Sequence, residues 1–224
     1  VAWNLRWKQQ LKEGASMAEI KPRFEFRAFA QNFGIVEQKM RALGPVEQIR
    51  ESLEIYIMSA GNNENNCKIR NNLMDIKVFV QNQKGLEQWN PRMKGEFPMS
   101  VEVIRKEVFP AFGVTMPDLK RDVYTLSQYI DEIIKPHPDL AAVNVFKRRM
   151  GFTINGCIAE LADVYINGAK IMTANLESVD IDAILAAKKM VALSDYENVN
   201  YLLAIKRVIG MEPLAESSFY RVKL

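Results

Sequence analysis

In Arg23-Phe24-Glu25-Phe26-Arg27-Ala28-Phe29 the first five residues alternate strictly between charged and large apolar side chains. A period of two is the signature of a strand with two unlike faces. Phe24 and Phe26 mark one face; Arg23, Glu25 and Arg27 mark the other. Same-face neighbours lie roughly 6.6 Å apart, a spacing that suits a row of groups reading a polyanion and its counter-ion. An ordinary half-buried strand with a solvated face shows the same pattern. What separates the two readings is that later strands repeat the charge habit.

Those later strands follow the same rhythm. Glu51 to Ser59 places Ser52, Glu54, Tyr56 and Met58 on one face and Leu53, Ile55 and Ile57 on the other. Cys67 to Arg70 puts Lys68 and Arg70 together, and Asn71-Asn72 predicts a tight hairpin turn into Leu73 to Val80, where Asp75 and Lys77 share a face. Leu86 to Pro91 reads as a short strand at a sheet edge, and Val101 to Ile104 as a further strand or a short helix. Asp122 to Ile130 is open between strand and helix. Ala142 to Met150 is a strand carrying Lys147 and Arg149 on one face, followed by a turn over Gly151 to Asn155. Cys157 to Ile166 and Ala169 to Ser178 form a hairpin around Asn167-Gly168, with Glu160 and Glu177 among their charged positions.

Helices bracket this run of strands. Gly34 to Leu43 has a three-to-four residue apolar rhythm and ends at Gly44-Pro45. Asp180 or Asp182 caps a helix through Met190, and a last helix after Asn198 runs through Ile209 to a C-cap at Gly210. Strands in meander order with helices outside them predict one α+β domain built on an antiparallel sheet. Residues 17–224 are assigned to that domain. Residues 1–16 are read either as an extension ahead of Met17 or as a short amphipathic helix using Trp3, Leu5, Trp7 and Leu11.

Composition narrows the chemistry. The chain has 224 residues, 48% of them apolar, enough for one large core or two small ones. No run approaches the roughly 18 apolar residues of a membrane span, so no membrane partner is expected. Two cysteines and one histidine, His137, leave little for a zinc site, a disulfide framework or a histidine-based triad. Cys67 and Cys157 read as small buried residues, and a cytoplasmic or other reducing compartment is expected. The net charge is +3, from 30 basic and 27 acidic side chains, so a cationic site must arise by concentration of charge. The phosphate-loop, dinucleotide and HExxH patterns are absent.

If the sheet closes on itself, Arg23, Arg27, Lys68, Arg70, Lys77, Lys147 and Arg149 converge inside it with Glu25, Glu54, Asp75, Glu160 and Glu177. Converging cations need an anion, and guanidinium forks match phosphate oxygens. Carboxylates among them suit Mg²⁺ or Mn²⁺, hard ions shared with substrate phosphates.

Set out this way, the chain resembles the CYTH, or triphosphate tunnel metalloenzyme, superfamily over about residues 20 to 210. The family's opening strand bears Glu-x-Glu-x-Lys. Here Glu25 matches the second glutamate, Arg27 stands at the lysine, and Arg23 replaces the first glutamate. Lys68-Ile69-Arg70 and Met74-Asp75-Ile76-Lys77 resemble the family's basic blocks. Lys147-Arg148-Arg149, then Glu160 and Asp163 to Gly168, resemble its basic strand and acidic hairpin. Asn175-Leu176-Glu177 stands at a second Glu-x-Glu, and the helix beginning Asn200-Tyr201 fits the same pattern.

The resemblance implies an antiparallel closed β-barrel, a tunnel with flanking helices. It implies action on triphosphates: inorganic triphosphate, thiamine triphosphate, RNA 5′-triphosphate ends or, in the adenylyl cyclase branch, ATP. The expected activity is hydrolysis dependent on Mg²⁺ or Mn²⁺. Glu25, Glu160 and Glu177 are then the catalytic carboxylates, with Glu25 and Glu177 holding metal. Arg27, Lys68, Arg70, Lys77, Lys147 and Arg149 bind the phosphate chain. With Arg23 and Asn175 at two glutamate positions, the alternatives are a binding module for polyphosphate, nucleotide or RNA 5′ ends that does not turn its ligand over, and a structural subunit meeting a protein partner.

Overall fold

The computed structural model describes residues 22–212. The readings of residues 1–16 lie outside them. Eight antiparallel strands close into a barrel, with flanking helices and a small two-stranded sheet. The barrel strands are β1 (Phe24–Ala30), β2 (Gln48–Met58), β3 (Asn65–Arg70), β4 (Leu73–Gln83), β5 (Leu86–Glu96), β8 (Ala141–Ile154), β9 (Cys157–Ile166) and β10 (Ala169–Ser178). Around the barrel the order is β1-β10-β9-β8-β2-β3-β4-β5, and β5 returns to β1 through the pairs Phe24↔Gln88 and Glu25↔Glu87. The small sheet pairs β6 (Met99–Ser100) with β7 (Val123–Tyr124).

The hairpins follow from turn chemistry. Asn71 and Asn72 both take positive φ (50° and 63°), as do Asn167 and Gly168 (46° and 90°). A third turn of this kind, Asn155-Gly156 (51° and 72°), replaces the one expected over Gly151 to Asn155. β8 therefore runs four residues past Met150 to Ile154. β5 is also longer than the sequence suggested, eleven residues ending at Glu96; it pairs with β4 along its length and closes the barrel on β1 through Glu87 and Gln88. Pro91 is accommodated where the register shifts between Ile76 and Lys77. A residue without an N–H is tolerated at such an irregularity.

Helix α1 (Gly34–Leu43) and helix α4 (Ile181–Met190) match the expected spans, and Asp180 caps α4 by accepting from the amides of Asp182 and Ala183. Of the two stretches the sequence left open between strand and helix, the one from Val101 is helical, and Asp122 to Ile130 divides into the strand β7 and a helix. The helix α2 spans 101–112 and is π-helical over Ile104–Val108; Ser100 caps it. After β7, Thr125 and Gln128 form a capping box that starts α3, spanning 126–134. The last helix, α5 (Tyr201–Ile209), is capped by Asn200 and ends at Gly210 in the left-handed region.

The apolar side chains form three groups. One packs α1 and α4 on the outer faces of β1, β8, β9 and β10 through Phe26, Val36, Met40, Leu176 and Ile184. Another packs α2 and α3 on β2, β3 and β4 through Ile57, Ile69, Met74, Phe112 and Tyr129. The third lies within the barrel. Tyr56, Met58, Val143, Val145, Ala162 and Val164 meet Tyr201, Leu202 and Ile205 of α5. These strand residues share the lumen face with Glu54 and Lys147, so α5 plugs one end of the barrel. Ion-paired side chains line the rest of the lumen.

Candidate functional site: a charged tunnel with two unlike walls

A cavity of about 480 Å³ occupies the open part of the barrel. Its lining includes Glu25, Arg27, Lys68, Lys77, Lys147, Arg149, Glu160 and Glu177. All but Arg70 of the side chains expected to act on the ligand therefore line one space. Alternation delivers them: the residues between them point out of the barrel, Phe26 and Ile69 under helices and Arg148 to the surface, where it pairs with Glu51.

The first wall is cationic and is centred on a residue that the sequence reading counted among the inward charges but gave no role. Glu54 of β2 is fully buried. Lys147 donates to it at 2.9 Å, and Arg70, Arg149 and Lys68 lie 3.4, 3.6 and 3.7 Å away. Arg70 does not line the cavity; it reaches Glu54 from a half-exposed position. Burial works against a charged Glu54, yet Lys147, Lys68 and Arg149 outweigh it and hold the carboxyl well below the usual range. Lys147 also donates to the Tyr56 hydroxyl at 2.7 Å and sits 3.6 Å over the Tyr201 ring. Burial nevertheless pulls its ammonium well below an ordinary lysine, with Glu54 opposing, and burial lowers Lys68 too. Arg149 donates to Ser52, while its Nε is buried without a partner.

The second wall is carboxylate-rich and is centred on Arg27. Its Nε donates to Glu25 at 2.6 Å, its Nη1 donates to Thr173 and lies 3.7 Å from Glu160, and its guanidinium stacks 4.7 Å from the Tyr201 ring. Strand register explains the grouping: Arg27 faces Asn175, Asn175 faces Glu160, and Glu25 faces both Glu177 and Glu87. Glu177 accepts from Arg23 at 3.1 Å and from Asn175 at 2.9 Å. Burial would raise its carboxyl, but Arg27, Asn175 and Arg23 bring it below the ordinary value. Glu87 goes the other way. Burial raises it despite hydrogen bonds from Trp89 and Asn200, and Glu25 adds to the rise.

Asn198 joins this wall from the chain before α5. Its carbonyl accepts the Arg27 amide, and its amide donates to Gly85. Thr173, Glu87 and Asn198 were invisible as site residues because each is brought in by register or by the chain ahead of α5, and Tyr201 was marked only as the start of a helix. Glu54 left a signal: it shares a strand face with Ser52 and Tyr56.

The solved structures this chain is similar to are distant in sequence. A Hippeastrum protein described as a candidate adenylyl cyclase with a dominant triphosphatase activity is 11% identical, with a TM-score of 0.49 over 82% of this chain and 95% of that one. A candidate adenylate cyclase from Bacillus halodurans is 8% identical, TM-score 0.48, over 82% and 97%. A conserved hypothetical protein from Pyrococcus furiosus is 14% identical, TM-score 0.44, over 80% and 98%. No family model matches the chain, and no curated protein matches it in sequence. The site is therefore read from its own geometry.

Two chemistries can be weighed. Cys67 is no nucleophile, since burial pushes its thiol up to about 12. The residues expected to hold Mg²⁺ or Mn²⁺ do not fit one as they stand. Glu25 is engaged by Arg27, and Glu177 by Arg23 and Asn175. Among the described residues no three His, Cys, Asp or Glu side chains gather as a metal site. A divalent ion here would have to compete for these oxygens with Arg27, Arg23 and Asn175.

Proposed function

We propose that the tunnel binds a triphosphate-bearing ligand by its cationic wall, without a resident metal ion. The observation that carries this is the convergence of Lys68, Arg70, Lys147 and Arg149 on the single carboxylate of Glu54 inside a closed barrel. Glu54, even with Asp75 facing Lys68 across the β3–β4 pair, does not balance four cations. Lys77 adds to the excess on the same cavity. A phosphate chain supplies the missing negative charge, and the unpartnered Nε of Arg149 is a donor such an oxygen would satisfy. The cavity volume lies within the usual range for small-ligand sites, about 300–1,000 Å³. The opening-strand resemblance to the triphosphate tunnel superfamily points to the same ligand class.

Titration calorimetry with inorganic triphosphate, in EDTA and then in Mg²⁺ or Mn²⁺, tests the reading. Saturable binding in EDTA that weakens with added salt is expected. Absence of binding under both conditions would reject it. Release of phosphate that requires Mg²⁺ or Mn²⁺ and disappears in Glu25→Ala would replace it with metal-dependent triphosphate hydrolysis, in which Glu25, Glu160 and Glu177 act. Competition by 5′-triphosphorylated RNA separates an RNA end from a free small molecule as the ligand.

A further inference from the structure

The carboxylate wall poses a separate question: what neutralises it. Glu25, Glu160 and Glu177 sit on three adjacent strands in direct register with one another or with Asn175. Left alone, these neighbouring carboxylates would repel, and a divalent cation is the common remedy. In this chain the positive charge comes from side chains. Arg27 bonds Glu25 at 2.6 Å and lies 3.7 Å from Glu160, while Arg23 bonds Glu177 at 3.1 Å.

We infer that Arg23 and Arg27 are the resident counter-ions of Glu25, Glu160 and Glu177, occupying the electrostatic role of a divalent cation and keeping metal out of the tunnel. This deepens the reading of the tunnel as a metal-independent anion site, but it concerns the opposite wall and is tested on metal alone.

The two arginines do different parts of the work. Arg27 cannot step aside. Its side chain is only 7% exposed, its Nη1 donates to Thr173, and its plane lies against Tyr201. A guanidinium does not lose its proton in this range either, so its charge stays. Arg23 is the movable member. Its side chain is 52% exposed at the cavity mouth and makes one ion pair. Asn175 completes the device. It stands between Arg27 and Glu160 in the register, carries no charge, and spends its amide N–H on Glu177. Its Oδ1 is buried without a hydrogen-bond partner. An aspartate of nearly the same shape at this position would add a negative charge beside Glu160.

The consequence is a change in metal affinity that needs no catalysis to observe. Mn²⁺ alone is titrated into the full chain and into Arg23→Glu/Asn175→Asp, with bound ion read by electron paramagnetic resonance. The parent is expected to take up no stoichiometric Mn²⁺, and the double variant to bind it at least about tenfold more tightly. Stoichiometric Mn²⁺ binding by the parent that Glu25→Gln abolishes overturns the inference. So does a double variant that folds, by circular dichroism, yet binds no more Mn²⁺ than the parent. If the double variant does not fold, Arg23→Gln alone decides, since that side chain is half exposed. A rise in Mn²⁺ uptake supports the inference, and unchanged uptake overturns it. Triphosphate binding in EDTA is measured on the same samples. Its loss would strike the anion-binding proposal and leave the counter-ion result standing.

Discussion

The two walls of the tunnel are inverse images. On one, four cations surround a single buried carboxylate, Glu54. On the other, Glu25 and Glu160 surround a single buried guanidinium, Arg27, with Glu177 adjoining them and tied to Arg23. Both use the same device, a buried ion held by opposite charges on neighbouring strands. They differ in what is left over. The Glu54 wall keeps a surplus of positive charge, whereas Arg23 and Arg27 offset two of the three charges of Glu25, Glu160 and Glu177 beside them. A closed barrel can therefore present a ligand with one wall that is hungry for anion and one whose charge is mostly offset.

The largest expected effect comes from removing a centre. Glu54→Gln leaves Lys147 buried without its carboxylate and sets four cations against one another, so stability should fall by about 3 kcal/mol in urea unfolding at neutral pH. Added triphosphate should restore more stability to this variant than to the parent. A loss below about 1 kcal/mol would show that the Glu54 cluster is not the buried ion centre described here.

Arg149→Ala or Lys68→Ala should weaken triphosphate binding by about tenfold or more, the cost of a charged hydrogen bond. Glu160→Gln, on the opposite wall, should leave that affinity unchanged or tighten it by a few-fold. Equal losses from both walls in calorimetry would erase the distinction between them.

A pH series sharpens the same contrast. Burial lowers both Lys147 and Lys68, so each loses its charge as pH rises through a value below the ordinary lysine value of about 10.4. Triphosphate affinity should decline at alkaline pH before surface lysines titrate. A flat profile up to that ordinary value would mean the two lysines are not contacts. The smallest effect is expected at the mouth: Arg23→Ala breaks an ion pair that is half exposed on the arginine side and should change stability by less than about 1 kcal/mol.

Much of this was legible residue by residue. The period of two in Arg23 to Phe29 identified β1 and its charged face, and Asn71-Asn72 and Asn167-Gly168 marked two hairpins through their turn chemistry. Asn155-Gly156 carries the same signal, but the glycine at 151 drew the turn toward itself; in the barrel that position lies against Gln48 and the strand runs on. Lys68, Lys77, Lys147, Arg149, Glu25, Glu160 and Glu177 were readable as one-face charges, and the cavity gathers them. Glu54 was seen as a strand charge but not as a centre. Its importance lies in Lys147, 93 residues away, and in the strands that carry Lys68, Arg70 and Arg149.

The amino-acid sequence by itself determined which side chains point inward, because alternation and turn residues are local properties of the chain. It determined the ends of α1 and α4 and the Asn-rich hairpins for the same reason. Only the tertiary structure decided which charges neutralise which. That depends on the closing of β5 on β1, on the register that sets Glu25 beside Glu177, and on α5 sealing the lumen with Tyr201. Coulomb energies depend on separation through space and on exclusion of water, and neither is a property of any single strand.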